Sequence, residues 1–186
     1  MRESAKWAHD NTLHAWWVEP GRLLAGEYPG ARTPEEATEK LRLLIEEAHI
    51  ESIVDLTTPA DGLAPYREAL REAAEKAGRQ VDHYAYPIPD MGIIGQEGYD
   101  AIVAGIRGEM ATDRTVYLHC WGGKGRTSTV VGCLLIDDGL VYEAAIDRIV
   151  ELRAATRKAI DPCPESASQH RLLRERAGQL TSGSAR

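Results

Sequence analysis

Apolar residues recur at helical spacing in several stretches of this chain, and short apolar runs typical of buried strands lie between them. The first predicted helix begins at Thr33 and Pro34 and runs to about Ala48, because proline is favoured at the first helical position. Further helices are predicted over residues 64–77, 96–110, 127–137, 141–154 and 165–179. Strands are predicted between Trp16 and Tyr28 and over residues 50–56, 81–86 and 115–118.

This alternation predicts an α/β fold, with a central, mostly parallel, twisted sheet and helices on both of its faces. Right-handed crossovers would then bring the loops at 57–62, 87–94 and 119–126 to the carboxyl edge of the sheet, where ligands usually bind. We expect one domain over residues 1–180 and a disordered tail over residues 181–186.

The composition restricts the classes of partner. A chain of 186 residues with 43% hydrophobic and 27% charged residues is typical of one globular domain. The net charge of −7 argues against a nucleic-acid partner, so an anionic substrate must be held by local cations. The apolar runs are too short for membrane insertion. The 3 cysteines and the lack of an apolar signal segment predict a cytoplasmic protein, and nothing in the sequence indicates an oligomeric state.

A glycine-rich segment, His119-Cys-Trp-Gly-Gly-Lys-Gly-Arg-Thr127, lies between a predicted strand and a predicted helix. Backbone N–H groups at such a helix start converge on an anion, and glycines allow it to approach closely. The expected phosphate-binding residues are Trp121, Gly122, Gly123, Lys124, Gly125 and Arg126. The spacing Cys-x5-Arg carries little weight alone, but the glycines, the strand and the helix around it make it specific.

Four side chains in this segment are candidates for chemistry. The thiol of Cys120 at the base of an anion-binding loop would be a nucleophile directed at phosphorus, because the surroundings favour its thiolate. The planar guanidinium of Arg126 can bind two phosphate oxygens. Thr127 would offer its hydroxyl to the thiolate. His119 would order the cysteine backbone from behind the loop.

The pattern His119-Cys120-x5-Arg126-Thr127 resembles the signature of cysteine-dependent protein tyrosine phosphatases, and the short chain is similar to their dual-specificity branch. The resemblance covers nearly the whole chain. It implies a phosphocysteine intermediate that water hydrolyses, with no metal or other cofactor. It also implies a phosphorylated protein or peptide as substrate. No segment resembles the tyrosine-recognition loop of the classical phosphatases, so we expect phosphotyrosine to be hydrolysed together with phosphoserine and phosphothreonine.

Two further residues complete the chemistry that the resemblance implies. Asp90, in the proline-stiffened loop 87–92, resembles the general acid, although a helix-capping aspartate is an alternative interpretation. Asp100 could serve instead. Gln169 resembles the glutamine that orients the hydrolytic water, and a solvated position in the first turn of a helix is the alternative.

Several alternatives stay open. Phosphoinositide phosphatases of the superfamily carry a lysine where this chain has Lys124 and another directly after the cysteine, where it has Trp121, so phosphoinositide or inositol phosphate remains a candidate substrate. A catalytically inactive phosphopeptide-binding module is the alternative from another class. Loop 55–61 either shapes substrate entry or is merely solvated. Cys133 is expected in the core, and Cys163 has no assigned role.

Overall fold

A single sheet forms the centre of the protein, for which a computed structural model describes residues 6–183. The strands are β1 (Ala15–Glu19), β2 (Leu23–Gly26), β3 (Ser52–Asp55), β4 (Asp82–Ala85) and β5 (Val116–His119). They form a 5-stranded sheet in the order β1-β2-β5-β3-β4, in which only the β1–β2 pair is antiparallel. The predicted α/β architecture with a mostly parallel sheet is confirmed.

Helices cover both faces of this sheet. They are α1 (Pro34–Arg42), α2 (Arg67–Lys76), α3 (Gln96–Ala111), α4 (Gly125–Asp137), α5 (Tyr142–Arg153) and α6 (Ala167–Gly183). One buried cluster lies under α1 and α2, and a larger one lies under the other helices. No helix in the described part of the chain is long and apolar enough to span a bilayer.

The ends of some helices differ from the sequence prediction for local reasons. The second helix begins at Arg67, later than predicted, because a residue before proline, here Ala64 before Pro65, is disfavoured in helical conformation. The last helix begins at Ala167 because the Ser166 hydroxyl caps it by accepting from the Gln169 N–H.

At the other end of α6 the helix includes residues 181–183 of the segment that the sequence analysis predicts to be a disordered tail. Residues 1–5 of the predicted domain and 184–186 of that tail lie outside the described residues.

Candidate active site

The loop between β5 and α4 forms a backbone cradle at the carboxyl edge of the sheet. Within residues 6–183, no protein group accepts a hydrogen bond from the backbone N–H groups of residues 121–125. Cys120 lies at the base of this loop and is only 3% exposed. The cradle therefore offers a row of free donors to an anion above the thiol.

Gly123 allows the cradle to pack closely on the end of β2. Its φ is +71°, and a Cβ there would lie 2.6 Å from the carbonyl carbon of Gly26. A larger residue would meet backbone atoms that cannot move aside, so this position requires glycine.

Donors behind the loop hold its carbonyl groups. Each donor bonds to a backbone carbonyl oxygen of the loop. The pairs are His119 Nδ1 and the oxygen of Cys120 at 3.0 Å, Tyr28 N and that of Trp121 at 2.9 Å, Lys158 Nζ and that of Gly122 at 3.0 Å, and Cys163 Sγ and that of Lys124 at 3.2 Å. Because the C=O and N–H of a trans peptide point in opposite directions, each contact turns the following N–H group toward the inside of the loop.

Arg126 is almost fully buried beside the cradle, with 1% exposure. Its Nη1 donates to Asp61 at 2.8 Å and to the Ile88 carbonyl at 3.0 Å, and its Nη2 lies 3.1 Å from Asp90. Burial opposes its charge, but the hydrogen bond to Asp61 and the negative charge of Cys120 raise the pKa of Arg126. Its Nε is buried and has no protein partner among the described residues.

Asp90 lies on a tight turn over Arg126. The N–H of Gly92 donates to the Pro89 carbonyl at 3.0 Å, and Met91 has a φ of +57°. The Asp90 side chain is 47% exposed, so its carboxyl group faces both the arginine and solvent. This carboxyl is brought beside the cradle, whereas the other candidate acid, Asp100, pairs with Arg176 at 2.8 Å.

Asp61 belongs to the site, although sequence analysis did not select it. Its side chain is 2% exposed, and burial opposes ionisation, yet the hydrogen bond from Arg126 lowers the pKa of Asp61. It ends a 3-10 turn, Pro59–Asp61, in which Thr58 and Asp61 form a capping box. That Thr-x-x-Asp pattern is the signal in the sequence that could have located the turn. The alternative that this loop is merely solvated is wrong for Asp61.

A buried network continues from the cradle into the sheet. The Tyr66 hydroxyl lies 2.6 Å from His119 Nε2, and Tyr66 and His83 both contact Asp55. Burial lowers the pKa of His119, so its ring is neutral. Since His119 Nδ1 must carry the proton that it donates to the Cys120 carbonyl, its Nε2 accepts from Tyr66. His119 thus lies where the sequence analysis expected it.

Two other expected site residues lie around the loop. The Thr127 hydroxyl is buried and finds no protein partner in the described chain. Gln169 is fully buried: its Oε1 accepts from the N–H groups of Glu165 at 3.0 Å and Ser166 at 3.1 Å. The alternative of a solvated Gln169 is therefore wrong. Its Nε2 lies 3.4 Å from the Gly92 carbonyl, which links α6 to the Asp90 loop.

The side chains of Lys124 and Trp121, both in the loop, have different surroundings. Lys124 pairs with Asp161 at 3.3 Å and with Glu165 at 3.2 Å. Trp121 is 52% exposed and lines a cavity of about 510 Å³ next to the cradle. Other residues that line it are Tyr28, Arg32, Lys40, Asp61 and Leu63.

The remaining cysteines are buried. Burial raises the pKa of Cys133 to about 12, in agreement with the predicted core position. Burial also raises the pKa of Cys163 to about 11, and its thiol contacts the Ser128 hydroxyl behind the loop.

Solved structures share this fold at low sequence identity. The chain superimposes on Tk-PTP in its active form with a TM-score of 0.69 and 22% identity, covering 89% of this chain and 97% of that one. For kinase associated phosphatase (KAP) with its catalytic-site cysteine replaced by serine, the TM-score is 0.68 at 24% identity, covering 91% and 97%. For PTPMT1 in complex with PI(5)P it is 0.65 at 18% identity, covering 88% and 95%.

No curated protein matches the chain. A family model does: the one described as "Swiss Army Knife protein, DSP-PTPase phosphatase domain" matches residues 13–179, which is nearly the entire domain. The chain therefore belongs to the DSP-PTPase phosphatase domain family, the dual-specificity type of cysteine phosphatase.

Proposed function

We propose that this protein hydrolyses phosphomonoesters through a phosphocysteine intermediate on Cys120, and that phosphotyrosine in proteins is its main substrate, with phosphoserine and phosphothreonine also accepted. The observation that carries the proposal is the position of Arg126. Asp61 and the Ile88 carbonyl occupy its Nη1, which leaves Nε and Nη2 as the edge for phosphate beside the thiol.

In the first step, phosphate oxygens accept hydrogen bonds from the loop N–H groups and from Nε and Nη2 of Arg126. A phosphate oxygen takes the place of Asp90 on Nη2, which releases the Asp90 carboxyl toward the leaving group. The Cys120 thiolate attacks phosphorus, the bond to the ester oxygen breaks, and Asp90 donates its proton to that oxygen.

In the second step, a water molecule attacks phosphorus and the bond from phosphorus to sulfur breaks. Asp90, now a carboxylate, accepts the proton of the water. Gln169 orients this water through its amide group, and Thr127 donates its unpaired hydroxyl to the departing thiolate of Cys120. No step uses a metal ion.

The cavity beside Trp121 supports a protein substrate, because it can take the residues around a phosphorylated side chain. The phosphoinositide alternative depends on Lys124. Two carboxylates of the chain already pair with this lysine, which reduces the charge available to a second phosphate group. Because all 3 cysteines are free thiols, we also infer that the protein works in the reducing cytoplasm.

The test is hydrolysis of p-nitrophenyl phosphate by wild type, Cys120→Ser and the matched control Cys133→Ser. We expect wild type and Cys133→Ser to be active with EDTA present, and Cys120→Ser to be inactive. Activity in Cys120→Ser, or loss of wild-type activity with EDTA, would refute the mechanism. A panel of phosphotyrosine, phosphoserine and phosphothreonine peptides and inositol phosphates, compared by kcat/KM, tests the substrate. Preference for inositol phosphates would refute the protein substrate.

A further inference from the structure

Lys158, a residue to which sequence analysis gave no role, contacts the cradle from the segment that joins α5 to α6. The Lys158 Nζ donates to the Gly122 carbonyl at 3.0 Å and to Glu27 Oε2 at 2.7 Å. The side chain is 18% exposed, so both contacts are largely shielded from water. A charged donor thus holds the carbonyl between the two adjacent glycines of the cradle.

The backbone around Lys158 is fixed by a buried arginine. Arg153 is 1% exposed, and it donates to the Lys158 carbonyl at 2.7 Å and to the Asp161 carbonyl at 3.2 Å. Glu27 fixes the other end of the lysine. Burial opposes the Glu27 charge, but the hydrogen bond from Lys158 and contacts from His14 and Arg157 lower the pKa of Glu27. Arg153 therefore holds the backbone of Lys158, and Glu27 holds its ammonium group.

We propose that Lys158 is a positioning residue for phosphate binding, which acts by fixing the Gly122–Gly123 peptide. While Lys158 holds the Gly122 oxygen, the Gly123 N–H points into the cradle. Glycine on both sides makes this peptide the easiest in the loop to rotate. A rotated peptide would present a carbonyl oxygen, rather than a donor, to the phosphate. The proposal rests on the proposed function only in that phosphate is the anion bound.

Lys158 could instead have the purely structural role of neutralising Glu27. Substitution of Arg157 separates this role from the positioning of the Gly122 carbonyl. Arg157 Nη2 donates to Glu27 Oε1 at 2.8 Å, so it also compensates this carboxylate. Its other hydrogen bonds within residues 6–183 go to Asp10, and none goes to the cradle. Loss of Arg157 therefore removes a cation from Glu27 and leaves the Gly122 carbonyl held.

The experiment measures binding of inorganic phosphate by calorimetry in the Cys120→Ser background, where turnover plays no part. Lys158→Met should raise the Kd of phosphate about 3- to 10-fold, the effect of losing one hydrogen bond to the loop. Lys158→Arg, which keeps a charged donor, should recover most of the affinity. Arg157→Met should change the Kd less than about 2-fold. Equal effects of Lys158→Met and Arg157→Met, or none from either, would overturn the proposal.

Kinetics with intact Cys120 give a second readout. Lys158→Met should raise KM and the Ki of inorganic phosphate together, whereas partial unfolding would lower kcat and leave Ki unchanged. If Lys158→Met does not fold, Glu27→Gln can replace it. This substitution keeps the size of the side chain but removes the charge that holds the Lys158 ammonium group, so it should also raise the Ki of inorganic phosphate. An unchanged Ki in folded Glu27→Gln would then overturn the inference. Phosphate binding without any turnover in wild type would instead refute the proposed function and leave this inference standing.

Discussion

Asp61 accepts a hydrogen bond from Nη1 of Arg126 at 2.8 Å, and the two side chains are 2% and 1% exposed. The carboxylate itself is held by the N–H of Thr58 at 2.7 Å, within the capped turn that follows β3. Because the Ile88 carbonyl holds the same Nη1, the guanidinium has one orientation before any substrate arrives. This preorganisation reduces the entropy that phosphate binding would otherwise cost.

Asp61→Asn should therefore weaken phosphate binding and destabilise the protein. The amide keeps the size of the carboxylate but removes its charge from a buried guanidinium. We expect the Ki of inorganic phosphate to rise roughly 10-fold and the free energy of unfolding to fall by about 1–3 kcal/mol. Both can be measured on one preparation, by inhibition of aryl phosphate hydrolysis and by urea denaturation.

The matched control is Asp138→Asn, which breaks an exposed pair with Arg107. Exposed pairs contribute about 0–1 kcal/mol, so its stability and its Ki should stay near wild type. Equal, small effects of the two substitutions would show that Asp61 does not hold Arg126 for binding.

Replacement of Asp90 should slow turnover in a way that depends on the leaving group. Without a proton donor, Asp90→Asn should lower kcat/KM on phenyl phosphate, which reports formation of the phosphocysteine and not its hydrolysis, by roughly 100-fold or more. The loss should be far smaller on p-nitrophenyl phosphate, whose phenolate leaves without protonation. Asp100→Asn is the control, because Asp100 pairs with Arg176 and should show no dependence on the leaving group. An equal loss on both esters in Asp90→Asn would assign the acid to another residue.

The elements and the glycine-rich loop could be predicted because their signals are local in the sequence. Helical periodicity located α3, and the glycine-rich segment located the cradle and its nucleophile candidate. The start of α2 differs from the prediction because Pro65 disfavours helical conformation in the residue before it. These errors concern a few residues at the ends of elements, where local preferences compete.

The contacts that support the site could not be predicted in the same way, because they join distant segments. Capping signals could have identified the turn at Asp61, but its contact with Arg126 depends on β3 lying next to β5. Lys158 reaches Gly122 only because the segment after α5 folds back behind the loop. Such contacts follow from strand order and helix packing, which no short stretch of sequence specifies.

Gly123→Ala should be among the most destabilising substitutions in the loop. Alanine at a φ of +71° is strained, and its Cβ would lie 2.6 Å from a backbone carbon of Gly26. We expect the free energy of unfolding to fall by at least about 2 kcal/mol. The same change at Gly108, inside α3 and with open space around it, should stabilise the protein by about 0.4–1 kcal/mol. Effects of the same sign at both positions would contradict the close packing of the cradle on β2.

Alkylation at pH 7 should select one of the three thiols of the folded protein. Burial raises the pKa of Cys163 to about 11 and that of Cys133 to about 12, so their thiolates are scarce at neutral pH. Iodoacetamide should therefore label Cys120 alone, and inorganic phosphate should protect it. Peptide mass spectrometry locates the label, and unfolding in urea, which should expose all three, is the control. Labelling of Cys163 in the folded protein would contradict its buried, protonated state.

Stability should decrease as the pH falls below about 6.5 because two histidines are buried in neutral form. Burial lowers the pKa of His119 and of His14 from the ordinary value of 6.5. Below pH 6.5 the unfolded chain therefore binds more protons than the folded chain. The stability present above pH 6.5 is lost as the pH falls toward the pKa of these histidines in the folded state. Each histidine can contribute at most about 1.4 kcal/mol per pH unit. The pKa of Asp55 is also lowered, but from 3.8, so its effect begins only in stronger acid.

Urea unfolding at pH 7.5 and 5.5 measures this effect. His14→Asn removes one of the two histidines and lies outside the cradle, so the difference in unfolding free energy between the two pH values should shrink. The exposed His49 provides the control, since His49→Asn removes a histidine from the surface and should leave the difference unchanged. Equal stability of wild type at both pH values would mean that these buried rings accept protons as readily as exposed ones, which their burial makes unfavourable.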